Sequence, residues 1–156
     1  MVRFLVVLVL AALFFSCDSQ RVYETNKDFD DGFWSIKDTA KFVFAIDDTT
    51  QAFNVLVNIR NSGDYKTARL FMNYSLSDSS GNLLNKKLLE VFLFDRKTGE
   101  PFGESGIGDI FEHQLLTESS KHFTYKGRYT IQLNQAMRAD TLAHILSVGT
   151  RVERIN

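Results

Sequence analysis

One cysteine, one proline and three histidines stand among the 156 residues of this chain. A lone cysteine closes no intramolecular disulfide, so no disulfide framework holds the fold. The proline, Pro101, falls in a loop-like, glycine-rich stretch where it blocks no strand ladder. His113, His122 and His144 lie far apart and lack the His-x-x-x-His or Cys/His spacing that sets two ligands on one metal, so neither a metal nor a cofactor is expected. An excess of one charge is missing as well: 18 Lys and Arg face 19 Asp and Glu, with no basic block. Nucleic-acid phosphates demand clustered Lys and Arg, and that class of partner is set aside. Only one long apolar run exists, Phe4 to Phe15. As a helix it would be about 18 Å long, short of the roughly 30 Å hydrocarbon core, so no permanent transmembrane helix is expected.

What is present begins with that run. Arg3 precedes it, Ser16 and Cys17 end it, and Asp18-Ser19-Gln20-Arg21 turns abruptly polar, which is the layout of a secretory signal peptide. Phe14-Phe15-Ser16-Cys17 resembles a lipobox, with Phe14 where such motifs usually carry Leu. In that chemistry the Cys17 thiol takes a diacylglyceryl group, the signal is cut off before it, and the new amine is acylated by a fatty acid such as palmitate. Acylation also explains why an exported chain keeps one unpaired cysteine. More than one acyl chain gives stable membrane attachment where a single chain is marginal. Residues 1–16 are therefore expected to be removed, leaving 140 of the 156; Arg3 is the one charge lost, so the remainder carries a net charge of −2.

The polar stretch 17–31 reads as a lipidated tether and 32–156 as one domain. Within the domain the apolar period is two rather than 3.6. Phe42, Phe44 and Ile46 alternate with Lys41, Val43 and Ala45; Phe53, Val55, Val57 and Ile59 form a second set, and Leu70, Met72, Tyr74 and Leu76 a third. Asp47-Asp48-Thr49-Thr50, Asn61-Ser62-Gly63-Asp64 and Asp78-Ser79-Ser80-Gly81-Asn82 supply the turns. Leu83 to Phe94 is apolar on both faces and predicts a central or doubly covered strand. Further strands are expected over Ile110–Thr117, Lys121–Tyr125, Tyr129–Leu133 and Ser147–Ile155, while Ala136–Ile145 alone has helical character. These elements predict an all-β fold, an antiparallel sandwich of about eight strands with one short helical segment; a closed barrel is the runner-up. Fourteen Phe residues suffice to fill the slot between two sheets.

Candidate chemistry is sparse. Gly103-Glu104-Ser105-Gly106-Ile107-Gly108-Asp109 has the glycines of a phosphate loop, but no Lys-Ser/Thr ending and no helix follow, and Glu104 and Asp109 would repel an anion. Asp30-Asp31 and Asp47-Asp48 are adjacent on extended backbone, point to opposite faces, and make poor acid and base partners. No Ser sits in a Gly-x-Ser-x-Gly elbow. Trp34 with Phe29 and Phe33 reads first as a plug over the core and second as a platform for sugar. No enzyme and no catalytic residue is expected; Cys17 is the one residue with assigned chemistry.

Several segments together resemble the gliding-motility lipoprotein H family of the Bacteroidetes. They are Ser16-Cys17-Asp18-Ser19 with Arg21-Val22-Tyr23, Asn58-Ile59-Arg60-Asn61 with Asp64-Tyr65, Gly108-Asp109-Ile110, and Gln135-Ala136-Met137-Arg138, followed by Leu142, Ile145, Val148-Gly149 and Arg151-Val152-Glu153. The resemblance runs from the signal peptide to the C-terminus. It implies a non-enzymatic envelope lipoprotein required for gliding, held in the membrane by acyl groups on Cys17 and facing the periplasm. Its implied partners are other envelope proteins of the gliding machinery, which is associated with type IX secretion. A carbohydrate-binding or glycan-processing lipoprotein is the alternative.

Overall fold

The computed structural model describes residues 19–155, and both the signal peptide and Cys17 lie outside that range. Eleven strands run in chain order: β1 (Arg21–Asp28), β2 (Phe33–Ser35), β3 (Ala40–Ile46), β4 (Phe53–Ser62), β5 (Arg69–Ser77), β6 (Leu83–Phe92), β7 (Glu104–Ser105), β8 (Ile110–Lys121), β9 (Gly127–Gln135), β10 (Thr141–Ala143) and β11 (Ile145–Arg154). They form one antiparallel sheet of order β1-β11-β4-β8-β7, a second of order β3-β9-β5-β6, and a ribbon of β10 with β2. Eight strands are seven residues or longer, which is the expected sandwich. Because each sheet ends in strands with one neighbour, the closed barrel is set aside.

Alternation builds these elements as the sequence dictates. In β3, Ala40, Phe42, Phe44 and Ile46 are buried while Lys41, Val43 and Ala45 face water. β5 repeats the pattern with Leu70, Met72, Tyr74 and Leu76. The turn at Asp78 forms because its carboxylate accepts the backbone N–H groups of Ser80 and Asn82, each at 2.9 Å. Between the sheets, Phe123 packs at 4.5 Å from Tyr129 and at 5.7 and 5.8 Å from Phe53 and Phe44, ring centre to ring centre. A register shift between Val55 and Leu56 leaves Thr117 of β8 without an opposite number; its hydroxyl donates to the Val55 carbonyl at 2.9 Å and so satisfies a buried acceptor.

Four expectations need correction. Most of the tether is strand: Arg21–Asp28 pairs with β11 from Arg21 opposite Glu153 to Asp28 opposite Ser147. Its polar side chains hid this, because they meet polar groups of the neighbouring strand rather than the core. The helical segment over 136–145 is absent, and no α-helix occurs among the described residues. There, Ala136–Asp140 is a bent loop and Leu142 pairs with Trp34 in the β10–β2 ribbon, so tertiary pairing overrides a local period. β6 is no central strand but the last in its sheet, with β5 its one ladder partner. Finally, β8 ends at Lys121 and residues 122–126 form a loop that inserts Phe123 into the core.

Candidate functional site

The sandwich has two ends. The chain enters at the end where Arg21, Phe53, Lys121 and Glu153 lie on adjoining strands. At the opposite end, Asp28, Ser147, Arg60 and Glu112 are neighbours in the same sheet. That far end carries an open groove of about 450 Å³ between the loop after β4 and the segment joining β9 to β11. Its walls are mostly apolar, with Tyr65, Met137 and Leu142 among them, and Lys66 and Arg138 stand exposed at its rim.

Buried polar groups shape the groove wall. Gln135 uses both ends of its amide: Nε2 donates to the Ala139 carbonyl at 2.8 Å and Oε1 accepts the Met137 N–H at 2.8 Å. This pins the loop that would otherwise continue β9. The Met137 sulfur accepts the Phe71 N–H at 3.3 Å, which turns its side chain inward. Beneath, Trp34 is fully buried, stacks on Phe29 at 5.1 Å and donates from Nε1 to the Asp38 carbonyl at 3.0 Å. Trp34 and Phe29 are therefore core, and only Phe33 of the three aromatics is exposed. His144 holds a left-handed conformation, φ 68°, at the bend between β10 and β11, and its Nδ1 lies 3.1 Å from the Ser62 hydroxyl.

The remaining candidate residues do not converge. His113 is buried and bonded to Asn61 Oδ1 at 2.9 Å. Asn61 spends its amide N–H on the Ser62 carbonyl, so His113 Nε2 is the donor. Burial pushes the His113 pKa down, which favours the neutral ring. His122 is exposed in the loop after β8, and no cluster of three metal-ligating side chains occurs among the described residues. Glu104 lies in β7 opposite Glu112, and Asp109 accepts the Gly63 N–H on its backbone carbonyl at 2.7 Å; the glycine-rich stretch is a hairpin with no helix after it. Sequence reasoning missed Gln135 as the organiser of the groove, since a single buried Gln carries no periodic signal. The two motifs that contribute to the groove, around Tyr65 and around Met137, were both singled out in the sequence, though not as neighbours.

A family profile described as GldH lipoprotein matches residues 21–152. The chain belongs to the GldH lipoprotein family. The matched span opens at the first residue of β1 and closes within β11, so it covers all of the sandwich but the last two residues of that strand. Among the family's named relatives, the gliding motility lipoprotein GldH homolog of Christiangramia forsetii is 29% identical over 149 residues, covering 91% of this chain and 89% of that protein. The gliding motility lipoprotein GldH of Flavobacterium johnsoniae is 28% identical over 159 residues, covering 96% and 94%. Membership in the family makes the protein a membrane-anchored envelope lipoprotein. Among solved structures, a dimeric latent PorU of Porphyromonas gingivalis aligns with 89% of the chain at 9% identity and a TM-score of 0.38, the chain spanning 13% of it. A VP2 subviral particle of infectious bursal disease virus aligns at 11% identity and 0.38, the chain spanning 34% of it.

Proposed function

We propose that the protein is a non-enzymatic component of the bacterial gliding machinery, working beside the type IX secretion apparatus and anchored by acyl groups on Cys17 with its domain in the periplasm. The gliding role follows the names of its full-length relatives. The observation that carries a binding role is the groove at the end opposite the chain's entry, apolar in its walls and basic at its rim. Four residue steps separate Cys17 from Arg21, a reach of at most about 14 Å. An anchor there holds the entry end against the bilayer and turns the groove toward whatever lies beyond. Apolar walls with Lys66 and Arg138 at the rim suit an envelope protein that inserts an apolar side chain flanked by acidic ones.

The test has two arms. Cys17→Ala should leave the domain folded, abolish labelling by a fatty-acid analogue and release the protein from washed membranes; label retained by the variant would overturn the anchor. A photo-crosslinker at Ala139, beside the groove, should trap an envelope protein in gliding cells, and Arg138→Glu should lower that yield and slow gliding at normal protein levels. Equal trapping from Thr49, in the turn at the entry end, would overturn the groove as the contact.

A further inference from the structure

β6 carries an exposed apolar row that the fold leaves uncovered. Leu89 and Val91 face the core opposite Met72 and Leu70, so Leu84, Lys86, Leu88, Glu90 and Phe92 share the outer face. Leu88 is 59% exposed, Phe92 49% and Leu84 44%. An unpaired row of backbone N–H and C=O groups beside such side chains is a template for another strand. Edges are ordinarily blunted by proline, by bulges or by charges that point inward. β6 has no proline, and its one register shift lies at its start, beside Leu83. Its inward charge, Lys87, reaches back across the sandwich: the ammonium donates to the Thr117 carbonyl, pairs with Glu118 at 3.1 Å and lies over the Tyr74 ring at 5.3 Å. Lys87 thus ties β6 to β8 of its own subunit and leaves the outer edge clear.

We infer that this edge pairs with β6 of a second copy, antiparallel about a twofold axis at Leu88, joining two four-stranded sheets into one of eight. The sequence of the outer row selects that partner and that register. With Leu88 opposite Leu88 of the partner subunit, Lys86 meets Glu90 of the partner subunit and Leu84 meets Phe92 of the partner subunit; twofold symmetry makes each contact twice. Centring the pair on Lys86, Lys87 or Glu90 sets like charges opposite each other. Centring it on Leu89 sets Lys86 against Phe92 and Glu90 against Leu88. Only the Leu88 register matches charge with opposite charge and apolar with apolar. Arg69, ion-paired to Glu90 and 5.6 Å from the Phe92 ring, steadies both side chains on the face that pairs.

The test uses the full-length protein in its own membrane. Leu88→Cys should give a disulfide-linked species of twice the subunit mass under mild oxidation, whereas Val43→Cys, exposed on β3 at the other edge of the same sheet, should not. Adding Lys86→Glu, or Glu90→Lys, to Leu88→Cys should lower the yield at least about tenfold, since each substitution makes both charge contacts repulsive. Co-expressing those two double variants under different tags should restore a mixed dimer, because Glu at 86 of one subunit then meets Lys at 90 of the other, while Glu90 of the first meets Lys86 of the second, and both contacts are attractive. A linked pair that is insensitive to the charge changes, an equal yield from Val43→Cys, linkage to a different protein instead, or no linkage at all would each overturn the proposal.

Discussion

Edge strands β1 and β6 solve opposite problems. β1 reads as polar and is strapped down by polar groups: Glu24 accepts from Asn58 at 3.0 Å, and Arg21 and Arg151 lie at 3.1 and 3.2 Å from its other oxygen. It also lies so close to β11 that a Cβ on Gly149 would stand 2.7 Å from the Thr25 carbonyl and collide with the Asn26 side chain. β6 reads as apolar and holds its inner face with Leu89, Val91 and one lysine, yet keeps the apolar side chains Leu84, Leu88 and Phe92 of its outer face in water. The difference shows that hydrophobicity alone does not rank strands from edge to centre. A polar strand stays bound when its charges find partners next door, and an apolar one remains outermost when no strand of its own chain follows it.

Three substitutions probe that contrast, in falling order of effect. Gly149→Val should force β1 away from β11, at a cost of about 1–3 kcal/mol, the range for inserting atoms into packed structure, read as a lower urea midpoint and faster amide exchange confined to residues 21–28. An unchanged midpoint would show that β1 contributes little. Glu24→Gln should cost less, under about 1 kcal/mol for partly exposed ion pairs, and the cost should depend on pH. Burial raises the Glu24 pKa, but the hydrogen bonds from Arg21 and Asn58 and the charges of Arg151 and Arg21 outweigh it, so the net shift is downward. A depressed carboxylate pKa adds stability that is full above the unfolded value and is lost as pH falls through the folded one. The difference between wild type and Glu24→Gln should therefore be present at neutral pH and shrink in acid; a difference that grew in acid would reverse the assignment. Leu88→Ser should change the stability of a single subunit by no more than about 0.5 kcal/mol, because an exposed side chain leaves no cavity. A larger loss at a concentration where subunits are separate would place Leu88 in the core.

The sequence was most legible where one face is wet and the other dry. β3, β4, β5 and β9 appear at the expected positions because Phe42, Val55, Met72 and Ile131 alternate with residues that face outward or are less buried. It was least legible where a residue's partner is remote in the chain. Glu24 and Asn58 are 34 positions apart, so nothing local marks 21–28 as strand. Met137, Leu142 and Ile145, within the stretch read as helical, do turn inward, Met137 partly and the others buried, but through a loop that Gln135 ties rather than a helix. Of the site, the basic Arg138 and apolar Met137 were visible as a motif; their juxtaposition with Tyr65 depends on β4 and β11 lying side by side, which no period encodes.

The short sequence distance from Cys17 to the start of β1 also has a mechanical meaning. Antiparallel β1 and β11 are paired from Arg21–Glu153 to Asp28–Ser147, and the groove lies beyond the Asp28 end. A pull entering at the proposed anchor and resisted at the groove runs along the strand, so it loads every rung of that ladder at once. The same pull directed sideways would open the rungs one after another from Arg21. With that anchor, the ladder between β1 and β11 lies along the line of the pull, the direction in which all its rungs share the load.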